Sequence, residues 1–121
     1  NFSDDNKPSF MDFISFVADQ DPIYMDRHWQ VQSVNILHDY VDFDFIGKQE
    51  NLINDLVSIE NLIFGKKIFD RKKLKSVNLS PMITNAISQT SDFYNNKAIQ
   101  IVADCYKSDF DAFGYSFDLP G

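Results

Sequence analysis

The side chains able to do chemistry near neutral pH are few in this 121-residue chain, and the densest set is His28-Trp29-Gln30-Val31-Gln32. Histidine is the side chain that changes charge between pH 5 and 8, so His28 is the candidate general base. Trp29 offers a flat apolar face, and the Gln32 amide can both donate and accept hydrogen bonds. Each residue also has a structural reading. His28 can orient its own segment, Trp29 can pack in the core, and Gln32 can bridge backbone groups in a turn. Glu50 follows a predicted strand, the end at which α/β sheets gather ligands. A carboxylate in the first turn of a helix is equally explained by the helix dipole.

Other constellations do not reach the same standard. His28 and His38 are ten residues apart without a cysteine partner, which does not make a zinc site. Asp42 and Asp44 share one face of the predicted strand and are explained by a wet surface. Cys105 falls within a helical pattern with no basic neighbour to activate it and reads as inert. Six of the eleven Lys and Arg residues lie between Lys66 and Lys75, a cluster that can attract an anion or simply form a solvated face. Asn1-Phe2-Ser3 and Asn78-Leu79-Ser80 match the N-glycosylation sequon, which matters only in a secreted protein.

These residues need elements to position them. Ser9 with Asp12 three residues on predicts a helix start, with Phe10, Phe13, Ile14 and Val17 at helical spacing and Asp21-Pro22 as the stop. Met25 to Leu37 permits a helix but has no clear cap. Tyr40 to Ile46 alternates Val41, Phe43 and Phe45 with Asp42 and Asp44, which predicts a strand ended by Gly47. Lys48 to Phe64 predicts a helix with Leu52, Leu56, Ile59 and Ile63 on one stripe and Gly65 as its stop. Asn95 is placed to cap a last helix running to Phe113, with Gly114 ending it, and Tyr115-Ser116-Phe117 is expected to pair with a sheet. Asp109 and Tyr115 are expected to tie that helix to the sheet. A lone strand needs partners, so the elements suggest part of a larger α/β sheet.

Composition sets outer bounds. A hydrophobic fraction of 44%, with twelve Phe, argues for a packed core and against disorder. A net charge of −7 argues against a general nucleic-acid binder, which needs a basic face. The single cysteine excludes an internal disulfide and favours a reducing compartment, bacterial cytoplasm over a Golgi lumen. No apolar run is long enough to span a membrane.

Four segments in order carry a resemblance to a known family. They are His28-Trp29-Gln30-Val31-Gln32; the run Tyr40 through Leu52, ending Asp44-Phe45-Ile46-Gly47-Lys48-Gln49-Glu50-Asn51-Leu52, with Asp55 beyond it; Asn78-Leu79-Ser80; and Phe93-Tyr94 followed by the helix containing Val102-Ala103, Tyr106, Asp109 and Phe113-Gly114-Tyr115. Together they resemble the carbohydrate-type sulfotransferases, the sulfotransferase family 2-like group, from Tyr24 to Phe117. Val31 stands where the family usually has Pro, Gln30 where a basic residue is frequent, Gln49 for an aromatic, and Pro81 follows Ser80 where a basic residue is common.

The resemblance implies a fold and a reaction. The fold is α/β: the C-terminal, mostly helical part of a P-loop-like sulfotransferase domain with one or two strands. Residues 1–121 then form a single partial domain, with the donor-binding N-terminal portion expected upstream. The reaction is transfer of a sulfuryl group from phosphoadenosine phosphosulfate (PAPS) to a hydroxyl of a saccharide or related acceptor, with no metal. His28 is the expected catalytic residue, Trp29, Gln32 and Glu50 bind substrate, and Asn78 and Ser80 contact the donor. With only four widely spaced Gly, the chain carries no Gly-rich phosphate loop, and on its own it is expected to be inactive. The alternative is a non-catalytic, α-rich protein-interaction domain.

Overall fold

The computed structural model describes residues 7–70, 72 and 86–118. Six helices and one 3-10 turn are defined there: α1 (Phe10–Ala18), α2 (Gln32–Asn35), the turn Gln49–Asn51, α3 (Leu52–Phe64), α4 (Ala86–Phe93), α5 (Asn96–Cys105) and α6 (Lys107–Phe113). The chain divides into two compact units. The first comprises residues 1–42 and 85–121, and the second residues 43–84.

In the first unit α1 begins as its sequence predicts. Ser9 Oγ accepts the Asp12 backbone N–H at 3.1 Å, and Asp12 Oδ2 accepts the Ser9 N–H at 3.0 Å. Two of the amides left over at a helix start are thereby satisfied reciprocally. The helix turns Ile14 and Val17 inward and packs on α5. Asn95 caps α5 by accepting the Ala98 N–H at 2.9 Å, and Ala98 is fully buried in the contact. The core cluster is Val17, Met25 and Val31, with Trp29, Val34, Cys105 and Tyr106 packed around it.

The predicted helix Asn95–Phe113 is two helices. Tyr106, at φ −104° and ψ 20°, ends α5 and starts α6. Its side chain leaves the stripe to donate from Oη to the carbonyl of Trp29 at 2.6 Å. A contact across 77 residues decides the break, and neither Gly nor Pro marks it. Gly114 closes α6 with φ 66°, the left-handed position where a side chain is costly.

Asp109 ties α6 to α2, not to a sheet. Its carboxylate accepts the backbone N–H of Gln32 on Oδ2 and that of Ser33 on Oδ1, both at 2.7 Å. Ser33 Oγ and Ser108 Oγ share a further hydrogen bond of 3.0 Å. Within the segment Met25 to Leu37 the α-helix is confined to Gln32–Asn35, where the Asp109 carboxylate receives the first amides. Phe117 stacks on Phe110 with ring centroids 4.4 Å apart, in place of the sheet pairing expected for Tyr115-Ser116-Phe117.

In the second unit α3 runs as predicted, preceded by the 3-10 turn and ended by Gly65 at φ 62°. Asp55 fastens its start, accepting the Lys48 N–H at 2.6 Å and an Asn51 side-chain N–H at 2.7 Å. The apolar stripe is shorter than its periodicity, since Ile63 is 64% exposed. Glu60 is the buried residue, accepting the backbone N–H groups of Ile68 and, at 2.6 Å, Phe69.

The predicted strand is not there. Residues 41–48 have no regular structure, and no strand occurs among the described residues. Alternation of Val41, Phe43 and Phe45 with Asp42 and Asp44 satisfies side chains, but a strand must also pair its backbone groups, and no described residue is in a strand that could pair with it. The protein is therefore mostly helical among the described residues, which corrects the α/β expectation for this stretch.

Removing the Asp109 carboxylate leaves two α2 amides without an acceptor. Asp109→Ala is expected to destabilise the first unit by about 1–3 kcal/mol, and Asp109→Asn, which retains one acceptor oxygen, by less. Urea unfolding of the two variants against the parent checks both values.

Candidate functional site

His28, Trp29 and Gln32 fall together on one segment of the first unit, between buried Met25 and the one-turn helix α2. A tight turn starts at Asp26, whose carbonyl accepts the Trp29 N–H at 3.0 Å. Trp29 is the anchor. Its indole meets the Phe13 ring edge-on at 5.6 Å, its Nε1–H donates to Gln20 at 3.2 Å, and its carbonyl receives the Tyr106 hydroxyl. The core reading of Trp29 therefore holds. His28 is the opposite case, with its ring 88% exposed. Its Nδ1 lies 2.6 Å from Asp26 Oδ1, and the same oxygen accepts the His28 backbone N–H at 2.9 Å. These two bonds, the backbone one first, hold the Asp26 carboxyl below its usual range. Gln32 is exposed, and its backbone, not its amide, carries the bond to Asp109.

Beside this segment lies a cavity of about 560 Å³, walled by Met25, Val34 and Leu37 and edged by Arg27, Gln30, Asn35, Asp39 and Tyr40. Its mixture of one cation, one carboxylate, two amides and a phenol suits a hydroxyl-rich ligand. Gln30 braces the wall by donating from Nε2 to the Pro22 carbonyl at 2.9 Å. Leu37 ends α2 in the left-handed region at φ 57°, with the His38 N–H bonded back to Ser33. A leucine there costs about 1–2 kcal/mol relative to the ordinary right-handed form. Arg27, Asn35, Asp39 and Tyr40 escaped the sequence reading. Asn35 reaches the cavity from α2, and Asp39 and Tyr40 reach it because the chain reverses at Leu37, which no local signal announces.

The remaining expected site residues are placed otherwise. Glu50 is exposed in the 3-10 turn of the second unit, in the first turn before α3 where a carboxylate suits the helix dipole. Asn78 and Ser80 lie outside the described residues. Of the basic cluster, Lys66, Lys67 and Lys72 are described and all are exposed. Among the described residues no group of three or more His, Cys, Asp or Glu could hold a metal ion. Cys105 is half-buried, and burial, with a smaller contribution from Asp109, pushes its thiol up, away from reactivity. A second cavity of about 670 Å³, lined by Tyr94, Ile99, Val102, Phe110 and Phe117, is apolar.

The family model described as the sulfotransferase family matches residues 1–116 of the chain. The protein belongs to the sulfotransferase family. No curated protein and no solved structure is significantly similar to it. Membership supports a transferase role, with a sulfuryl donor and an acceptor substrate. No described helix is long and apolar enough to cross a membrane.

Burial, then the neighbouring Cys105, Asp109 and Tyr94, push Tyr106 up to about 12 from an ordinary value of 10.0. The folded state thus holds the phenol proton more tightly than the unfolded chain. Stability from this group is intact below pH 10 and is lost as pH rises from 10 through 12. Tyr106→Phe is expected to cost about 0.5–1.5 kcal/mol at pH 7 and to flatten this alkaline decline. Thermal melts from pH 8 to 12 measure both.

Proposed function

We propose that this chain is part of a PAPS-dependent sulfotransferase acting on a hydroxyl of a saccharide or related acceptor, with His28 as general base. The observation that carries the reading is an exposed histidine on an anchored turn whose neighbours Arg27 and Gln30, though not His28 itself, edge a cavity with groups that hydrogen-bond hydroxyls. The acceptor oxygen attacks sulfur, the bond from sulfur to the donor's phosphate oxygen breaks, and its electron pair leaves with that phosphate. The acceptor's proton passes to His28 Nε2. Gln32 and the cavity residues orient the sugar. Trp29 holds the turn and meets the sugar only at its rim, and Glu50 serves the approach to α3.

The starts of α1, α2, α3 and α5 offer little to the donor's phosphates. A helix N-terminus binds phosphate through open amides, and Ser9 takes one amide of α1, Asp109 two of α2 and Asn95 one of α5. The start of α3 carries Glu50 and Asp55, which disfavour an anion. By the family resemblance Asn78 and Ser80 contact the donor. Residues 1–121 are then a single partial domain whose helices serve a P-loop-like α/β fold, and the single cysteine favours bacterial cytoplasm as its compartment.

Two measurements test this reading. Calorimetric titration of the 121-residue chain with PAPS is expected to show no micromolar binding; a micromolar constant would reveal a donor site in this chain. In the full-length protein with saturating donor, His28→Ala is expected to lower turnover by roughly a hundredfold or more. Its melting temperature should be unchanged, because the ring buries nothing. Unchanged turnover in the folded variant removes His28 from the chemistry.

A further inference from the structure

We propose that Asp26 is a positioning residue for His28, holding the ring by Nδ1 so that Nε2 is the basic nitrogen presented to the acceptor. The proposal rests on the reading of His28 as the base and adds to it the residue that selects the ring's tautomer and direction.

An exposed histidine normally samples several rotamers and both neutral tautomers. Here one oxygen, Asp26 Oδ1, accepts the backbone N–H of His28 at 2.9 Å and lies 2.6 Å from its ring Nδ1. An ionised carboxylate only accepts hydrogen bonds, so the hydrogen between the two groups belongs to Nδ1. The other ring nitrogen then carries the lone pair, since the proton's place on an imidazole is set by the bond its partner nitrogen makes. Free histidine prefers the reverse arrangement, with the hydrogen on Nε2, which would leave the outward nitrogen unable to take a proton.

The support beneath the pair is rigid. Asp26 and His28 sit between Met25, which is buried, and Trp29, which is fixed by Phe13, Gln20 and Tyr106. The pair itself contributes little to the fold, with the His28 ring 88% and the Asp26 side chain 49% exposed. Arg27, on the same turn, has no ion-pair partner among the described residues and faces the cavity, leaving Asp26 as the carboxylate bonded to the ring. When Nε2 takes the acceptor's proton, both ring nitrogens are protonated and the Asp26 carboxylate faces the resulting cation. The proton afterwards passes to water.

The test separates tautomer from turnover. Nitrogen-15 NMR of the 121-residue chain, at a pH where the ring is neutral, is expected to show His28 protonated on Nδ1. Asp26→Ala should move the proton to Nε2. Asp26→Asn, whose oxygen still accepts the backbone N–H, preserves the turn and guards against a folding artefact. In the full-length protein Asp26→Ala is expected to lower kcat by about 10–100-fold with KM little changed. A wild-type ring protonated on Nε2 overturns the proposal whatever the kinetics. Unchanged kcat in Asp26→Ala beside an impaired His28→Ala overturns the positioning role alone. Unchanged kcat in both removes the general-base reading itself, and this proposal with it.

Discussion

The Asp109 carboxylate is 7% exposed and has two acceptor oxygens, each occupied by a backbone amide from the start of α2. Burying a charge is costly unless its hydrogen bonds are complete, and here the amides of a helix start complete them. Three residues earlier, the Tyr106 hydroxyl donates to the Trp29 carbonyl. Together these contacts join the 106–109 stretch to the 29–33 stretch. Everything on the candidate site depends on that clasp. Trp29 fixes the turn bearing His28, and the α2 reversal at Leu37 carries Asp39 and Tyr40 to the cavity. Without the clasp, Gln32–Asn35 is a single helical turn, too short to persist by its own hydrogen bonds.

What was legible in the sequence was local. Ser9 with Asp12, Asn95, Gly65 and Gly114 all act within four or five residues of themselves, so helix ends followed from residue type. The strand expectation failed for the same reason in reverse. Alternation at Tyr40 to Ile46 is a local pattern, but a strand is a pairing, and pairing partners cannot be read from one segment. The Tyr106 break and the Asp109 cap bridge more than seventy residues and left no local trace. Glu60 follows Leu56 by four residues and Val57 by three, on the side of α3 that packs, but its charge argued against burial.

Legibility of the site divides along the same line. His28 was singled out by side-chain chemistry, and the proposed role makes use of its exposure. Trp29 was read in two ways, and its packing on Phe13 is what the structural reading expected. Asp26 could have been noticed, because an aspartate two residues before a histidine readily caps its backbone N–H. The cavity edge could not, since Arg27, Asn35 and Asp39 have no common spacing and meet through a left-handed leucine. The family resemblance did supply order and direction across these segments, and the family match over residues 1–116 agrees with it.

The clasp also has a bearing on time. The amide of Gln32 and the carboxylate that captures it are separated by 77 positions. A ribosome adding about 5–20 residues per second needs roughly 4–15 s to make that interval. Throughout it, the turn bearing His28 is unfastened, while the residues that cap α1 have already been made. The order of synthesis thus runs opposite to the order of assembly. The residues that would meet the acceptor are made before the stretch that secures them, and they take their places only after that stretch has left the ribosome.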